Sequence, residues 1–243
     1  MMKYFNVTQE EIDKKMFNIF VGISVGNKLL TPELAKRYVE WAHKYTKDNA
    51  LILIADEIDA INWQVFRGSS EEEALVKARE KGYQVAGMFD KAKRTLARET
   101  DDPTYITNVH TLFWEDIKNP GFEHVREILI EQYKTNNNFK KAVLHFVNKY
   151  IEFRQVEVKE DDKDRLASYI ISELPTLLGG LLWNNTLYNL ILYPTYVTSG
   201  MSQFVLDIRG GKYFDFSIIP MRQIAVMVED YIKELEGLSK LDT

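Results

Sequence analysis

Two strongly apolar runs, separated by an amphipathic segment, constrain the fold of this chain more than any other feature. Residues 16–23 and 50–55 each predict a strand that is buried on both faces of a sheet. Between them, Thr31 and Pro32 provide a hydroxyl N-cap and a proline at the first helical position. A strand, a helix and a strand in this order predict a parallel pair joined by a right-handed crossover.

The alternation of strands and helices continues along the chain. A capping-box spacing at 70–73 begins a long helix that extends to about residue 99. Further strands are expected at 108–114, 188–193 and 211–219, and further helices at 120–134, at 137–153, on the segment after 158–164, and at 220–235. The pattern predicts an α/β fold with a mostly parallel central sheet and helices on both faces. Because 45% of the 243 residues are hydrophobic, residues 1–243 are expected to form a single domain.

The composition excludes several kinds of site. The chain contains no cysteine, which excludes disulfides, thiolate metal sites and a cysteine nucleophile. No apolar stretch approaches the roughly 18 residues of a membrane span, and the first residues lack the apolar core of a signal peptide. We therefore expect a cytoplasmic protein with no membrane partner, no metal and no cofactor. The net charge of −5 disfavours nucleic acid as a partner for the whole surface, although a local basic face still allows it.

Ser24 lies between two glycines, in the pattern G-x-S-x-G, at the end of the first predicted strand. Ligands of open α/β sheets bind at the carboxyl ends of the strands, so this position favours chemistry. In an α/β serine hydrolase the helix begins at the nucleophile and a histidine completes a triad. Here the helix begins seven residues later, at Thr31, and no histidine stands in such a pattern. The motif alone leaves open a serine esterase, another kind of serine nucleophile, and a turn residue without chemistry.

A second set of candidates lies late in the chain. Tyr169 and Glu173 are four residues apart, so their side chains share one face of a helix that also carries apolar residues. A glutamate there binds an ammonium group, transfers protons, or is solvated at the edge of the helix. Tyr193 ends an apolar strand directly before Pro194, where simple packing is the alternative to chemistry.

Three motifs, taken together in their order and separation, resemble those of the cyclodipeptide synthases. They are Gly22-Ile-Ser24-Val-Gly-Asn27, Tyr169-x-x-x-Glu173-x-Pro175 and Leu192-Tyr193-Pro194. The resemblance implies a Rossmann-like fold, similar to the catalytic domain of class I tyrosyl- and tryptophanyl-tRNA synthetases. It also implies a monomeric enzyme that takes two aminoacyl-tRNAs and forms a cyclic dipeptide, a 2,5-diketopiperazine, without ATP.

The resemblance also implies roles for individual residues. Ser24 would attack the ester of the first aminoacyl-tRNA and hold the aminoacyl group in a ping-pong mechanism. Glu173 and Tyr169 would bind its α-amino group, with Glu173 transferring protons, and Tyr193 would orient the serine. The other implied substrate contacts are Gly22 and Asn27 beside the nucleophile, Phe20, Ile52, Leu112 and Thr176 in a pocket for the first side chain, and Phe153 and Arg154 nearer the second.

An acidic protein that uses tRNA needs a local basic face. On the long helix, Lys91, Arg94 and Arg98 lie within an arc of about 60°, at roughly 100° per residue. The resemblance implies that these residues, together with Lys93, hold the acceptor stem of the tRNA. A solvated helix face is the alternative. Two other functions stay open: a serine esterase that uses G-x-S-x-G, and a catalytically inactive tRNA-binding domain.

Overall fold

A computed structural model describes residues 2–195, 200–220 and 225–231. The strands are β1 (Met2–Phe5), β2 (Ile19–Ser24), β3 (Ala50–Ala55), β4 (Val109–Phe113), β5 (Leu181–Trp183), β6 (Thr186–Tyr188), β7 (Leu190–Thr195) and β8 (Val226–Tyr231). The helices are α1 (Gln9–Asp13), α2 (Pro32–Tyr45), α3 (Asp56–Arg67), α4 (Glu71–Thr100), α5 (Thr104–Thr107), α6 (Pro120–Thr135), α7 (Asn137–Arg154), α8 (Glu160–Gly179) and α9 (Met201–Arg209). Short 3₁₀ turns lie at Trp114–Ile117 and Phe216–Ile218.

The central sheet has the strand order β1-β8-β7-β2-β3-β4. Strand β2 is parallel to both β3 and β7, and the pairs β3–β4 and β7–β8 are also parallel. Only β1 runs antiparallel, against β8, among the described strands of this sheet. Strands β3 and β4 follow β2 on one side of it, and the later strands β7 and β8 lie on its other side. The direction in which strands are added therefore reverses between β2 and β7. Ligand sites of doubly wound sheets lie at such a point. The predicted α/β fold with a mostly parallel sheet is confirmed.

Alternation along the central strands divides the core into two layers. Phe20, Leu51 and Leu53 belong to the layer that also contains apolar residues of α6, α7 and α8. Val21 and Ile52 belong to the opposite layer, packed against α2 and α4. Neighbouring residues of a strand point to opposite faces, so a shift of one position moves a side chain from one layer to the other. The layer with α8 is the one that faces the candidate site.

The predictions for the two elements near the end of the chain were wrong. The segment 211–219, expected as a strand, contains the 3₁₀ turn Phe216–Ile218 instead. Of the expected helix 220–235, the described part forms strand β8, while 221–224 and 232–235 lie outside the described residues. Two buried carboxylates explain the error, because they give an inner strand the charge pattern of a surface helix. Glu229 accepts from the backbone N–H of Ser202 at 3.2 Å, and Asp230 accepts from the hydroxyl of Tyr38 at 3.2 Å.

The helix starts that position the site are those the sequence predicts. The hydroxyl of Thr31 accepts from the N–H of Leu34 at 3.2 Å, and Ser70 and Glu73 form the capping box of α4. Helix α3, which follows β3 directly, was not predicted. It contributes side chains to the site described below.

Candidate active site

The candidate site lies at the carboxyl edge of the sheet, where β2, β3 and β7 end. Ser24 is the last residue of β2 and is paired in register with Ala55 of β3. The chain then turns sharply, because the N–H of Asn27 donates to the carbonyl oxygen of Ser24 at 3.1 Å. The amide oxygen of Asn27 in turn accepts from the N–H of Leu29 at 2.9 Å. This turn leaves the Ser24 hydroxyl at the wall of a cavity.

Tyr169 and Glu173, one turn apart on α8, face Ser24 across this cavity edge. Ser24 and Tyr169 line the same cavity, and the Ser24 hydroxyl lies close enough to the phenol to oppose slightly the rise in its pKa. Tyr193, on β7, donates its hydroxyl to the carboxylate oxygen Oε2 of Glu173 at 3.5 Å. Helix α8 and strands β2 and β7 therefore bring the four predicted catalytic residues together, although they are far apart in the sequence.

The pKa values of Glu173 and Tyr169 differ from those of the same residue types on a protein surface. Burial raises the pKa of Glu173 to about 7, although hydrogen bonds from Tyr193 and Tyr169 lower it. Burial also raises the pKa of Tyr169, and the negative charges of Glu173 and Asp59 add to this effect. A carboxyl group with a pKa near 7 can accept or give a proton at neutral pH. Together, the serine hydroxyl, the two phenols and this carboxyl group can carry out acyl transfer to the serine, with proton exchange at an amine.

Two cavities open beside Ser24. The larger, of about 490 Å³, is lined by residues that include Ser24, Asn27, Tyr169, Phe153 and Arg154. The smaller, of about 40 Å³, lies between the sheet and α8. Of the residues predicted for the first side chain, Phe20 and Thr176 line the smaller cavity, together with Gly22. Phe153 and Arg154, predicted for the second, line the larger one.

Two predicted pocket residues lie elsewhere. Ile52 points to the opposite face of the sheet, where it is fully buried against the layer of α2 and α4. Its neighbour Leu53 lines the smaller cavity instead, because successive residues of a strand alternate between faces. Leu112 is on the correct face but lines a separate cavity beside α4, and Trp114 contributes to the smaller cavity near Ser24. The register of β3 against β2, which pairs Leu51 with Phe20, places Leu53 rather than Ile52 on the face of the cavity.

The basic residues of α4 divide into two groups. Lys91, Arg94 and Arg98 are exposed on one side of the helix. Lys93 is buried, where its ammonium group donates to the hydroxyl of Thr111 at 3.0 Å and pairs with Asp90 at 2.6 Å. Lys93 therefore does not share the exposed basic face that was predicted to include it, because it lies about 200° around the helix from Lys91.

Asp59, on α3, is a second carboxylate near Ser24, and the sequence did not reveal it. It is only 3% exposed. Its Oδ1 accepts from the side-chain amide of Asn62 at 2.7 Å, and Asn62 in turn accepts from the hydroxyl of Tyr150 at 3.3 Å. Burial raises the pKa of Asp59, opposed by the hydrogen bond from Asn62 and by the charges of Lys81 and Arg154. Helix α3 follows β3 without a linker, so the sequence shows no separate start for this helix. Asp59 was therefore not recognised as a site residue.

Among the described residues, no group of three His, Asp or Glu side chains is arranged to hold a metal ion. Within the same ranges, every helix is too short or too polar to cross a membrane.

The sheet order and the serine at its reversal point define a Rossmann-like α/β protein with a candidate nucleophile. The sequence model of one family, described as cyclodipeptide synthase, matches residues 5–198, which include Ser24, Tyr169, Glu173 and Tyr193. The chain therefore belongs to the cyclodipeptide synthase family and is an enzyme of that class. No curated protein matches the sequence significantly.

Solved structures agree with this assignment at the level of the fold. A cyclodipeptide synthase from Bacillus thermoamylovorans is 19% identical, with 96% of each chain covered and a TM-score of 0.70. One from Staphylococcus haemolyticus is 17% identical, with 94% of this chain and 97% of that chain covered, and also gives 0.70. A third, from Candidatus Glomeribacter gigasporarum and solved bound to Phe-tRNAPhe, is 14% identical, covers 93% and 92%, and gives 0.57.

Proposed function

We propose that this enzyme takes two aminoacyl-tRNAs and joins their aminoacyl groups into a cyclic dipeptide, through an aminoacyl-Ser24 intermediate and without ATP. The observation that carries the proposal is that Ser24 lies in the wall of two cavities, one shared with Tyr169 and the other with Glu173, to which the hydroxyl of Tyr193 donates. The bound Phe-tRNAPhe of the Candidatus Glomeribacter gigasporarum synthase supports the substrate class. We further propose that the chain acts as a single-domain monomer.

The first step is attack of the Ser24 hydroxyl on the ester of one aminoacyl-tRNA. An aminoacyl ester is already activated, so the reaction needs a positioned nucleophile rather than a nucleotide cofactor. The serine proton passes to the leaving ribose oxygen, and the hydroxyls of Tyr169 and Tyr193 are placed to relay it. The α-ammonium group of the bound residue then pairs with the carboxylate of Glu173, because an opposite charge stabilises both groups.

The second step needs that ammonium group to lose a proton. An α-amino group ordinarily has a pKa of about 7.7–8.0. Because burial raises the pKa of Glu173 to about 7, the proton affinities of donor and acceptor are closely matched. The freed amine attacks the ester carbonyl of the second aminoacyl-tRNA, the bond to the ribose oxygen breaks, and that oxygen leaves with the proton that Glu173 accepted. The second tRNA is released, and the dipeptidyl group stays attached to Ser24. The amine of the second residue then attacks the Ser24 ester, which closes the ring and releases the serine.

The two cavities suit this order of events. The smaller cavity between β2 and α8, which apolar and polar residues line together, receives the side chain of the first residue beside the nucleophile. The larger cavity opens toward the end of α7 and admits the second residue with its tRNA. Enclosure of the acyl-serine between sheet and helix disfavours attack by water, which would otherwise hydrolyse the intermediate.

The test is expression of the wild type and of Ser24→Ala in a bacterium, with mass spectrometry of the culture medium. A cyclic dipeptide mass present only with the wild type supports the proposal and names the two residues. Hydrolysis of a simple ester without tRNA, and no cyclic product, would indicate the serine esterase. Binding of tRNA by both proteins without any product would indicate the inactive tRNA-binding domain.

A further inference from the structure

The smaller cavity beside Ser24 leaves little room for a side chain. Its volume is about 40 Å³, against about 490 Å³ for the larger cavity. A water molecule needs roughly 10–15 Å³ of cavity volume, so about three non-hydrogen atoms fit. The lining residues Phe20, Leu53 and Leu177 are at most 2% exposed, and close-packed side chains of this kind do not move apart without strain. The cavity therefore fits a short side chain and excludes an aromatic ring.

Another cavity, of about 370 Å³, lies between α6 and the last turns of α8. Its lining includes Phe122, Pro175 and Thr176. We call it the rear cavity, because Ser24 lines the smaller cavity but not this one. Thr176 lines both cavities, so this buried side chain stands between the two spaces.

Two aromatic rings continue the separation that Thr176 begins. Trp114 lines the smaller cavity and Phe122 the rear one, and their rings pack edge to face at 6.0 Å between centroids. The N–H of Trp114 donates to Oδ1 of Asp56 at 3.0 Å, and the hydroxyl of Thr176 donates to the carbonyl oxygen of Glu173 at 2.8 Å. Ring packing and these hydrogen bonds hold Trp114, Phe122 and Thr176 in place as a wall between the two cavities.

We propose that this wall selects the first residue by size, so that Ser24 receives a small side chain, up to about that of valine, and rejects aromatic ones. This inference rests on the proposed function and concerns the residue held on Ser24, not the second residue. The wall residues contact the side chain rather than the reacting atoms, so they determine specificity. Loss of atoms from the wall should therefore widen the range of first residues without abolishing the reaction.

The first test identifies the residue that Ser24 receives. The wild type, in excess over a mixture of aminoacyl-tRNAs carrying all the common amino acids, is quenched within a single turnover, and its intact mass is measured. The excess of enzyme leaves few intermediates to meet a second substrate. We expect adducts of small residues such as alanine, serine and valine. A main adduct larger than valine would overturn the inference, whereas no adduct from any aminoacyl-tRNA would overturn the proposed function.

The second test measures the effect of the wall. The tRNA that gives the main adduct is charged chemically with valine or with phenylalanine, so that the two substrates differ only in the side chain. Acylation of Ser24 in the wild type should be about 10- to 100-fold slower with phenylalanine. Thr176→Ala removes a hydroxyl and a methyl group from the wall and should reduce this ratio about 10-fold, because the ring then extends toward the rear cavity. Trp114→Leu should act in the same direction.

Another helical threonine provides a matched control. Thr135 on α6 is exposed and, like Thr176, donates its hydroxyl to a carbonyl oxygen of its own helix, at 2.7 Å. Thr135→Ala should keep the wild-type ratio. A merely structural role of Thr176 would slow both substrates alike and leave the ratio unchanged. An unchanged ratio in Thr176→Ala, or equal use of both substrates by the wild type, would overturn the inference even where Trp114→Leu fails to fold.

Discussion

The hydroxyl of Tyr193 on β7 lies 3.5 Å from the Glu173 carboxylate on α8, and this hydrogen bond connects the sheet to the helix beside the nucleophile. Strand β7 is the neighbour of β2, which ends at Ser24. The reversal of strand order between β2 and β7 thus places a phenol from one strand beside a hydroxyl from the other. Helix α8 covers both and adds the carboxylate, so the candidate site is built from three separate elements.

Glu173→Gln tests the carboxyl group of the candidate site through the pH dependence of stability. The pKa of Glu173 in the folded enzyme is about 7, above the ordinary value of 4.5, so the unfolded chain ionises at lower pH. Ionised Glu173 therefore destabilises the fold increasingly as pH rises from about 4.5 to 7. The variant lacks this effect, and its stability relative to the wild type should increase by about 2 kcal/mol between pH 5 and pH 8.

Urea denaturation of both proteins at the two pH values measures this difference. Glu131→Gln, on an exposed position of α6, is the matched control and should change stability little at either pH. If Glu173→Gln differed from the wild type equally at pH 5 and pH 8, the carboxyl group would have an ordinary pKa.

Gly22→Ala tests the smaller cavity. A Cβ built on Gly22 meets no atom within 4 Å, so the strand should accept alanine with unchanged or slightly higher stability. The added methyl group nevertheless lies in the cavity of about 40 Å³ beside Ser24. We expect products with a bulky first residue to decrease at least several-fold relative to those with a small one, measured by mass spectrometry. Gly87→Ala on α4, equally unobstructed, should leave the product mixture unchanged.

Exchanges at Ile52 and Leu53 test which face of β3 meets the substrate. Ile52→Val removes one methylene from the layer of α2 and α4, and should lower the free energy of unfolding by about 1 kcal/mol without altering the products. Leu53→Val makes a change of the same size on the face of the smaller cavity and should shift the product mixture. A shift caused by Ile52→Val alone would place the pocket on the other side of the sheet.

The exposed basic face of α4 is tested by salt dependence. Combined replacement of Lys91, Arg94 and Arg98 by alanine should weaken aminoacyl-tRNA binding and reduce the slope of log K against log salt by about 2 to 3, roughly one for each phosphate that is no longer neutralised. Lys93→Met removes one positive charge at a buried position of the same helix and should leave the slope unchanged while lowering the melting temperature. A triple variant with the wild-type slope would remove α4 from the tRNA site.

Local patterns predicted the features that depend on neighbouring residues. Thr31 with Pro32, and Ser70 with Glu73, marked the starts of α2 and α4, because capping uses atoms within one helical turn. The apolar runs indicated β2 and β3, because a strand buried on both faces is visible in its own residues. Strand β8 was missed because its buried Glu229 and Asp230 are paired with residues that lie far away in the sequence.

By itself, the sequence determined the class of fold, the end of β2 as the place for a nucleophile, and the shared face of Tyr169 and Glu173, since each follows from the geometry of strands and helices taken one at a time. Only the tertiary structure decided that Leu53 rather than Ile52 meets the cavity, that Lys93 is buried, and that Asp59 stands behind Gly26. These depend on which faces pack together, and packing is set by interactions between elements that no local pattern records.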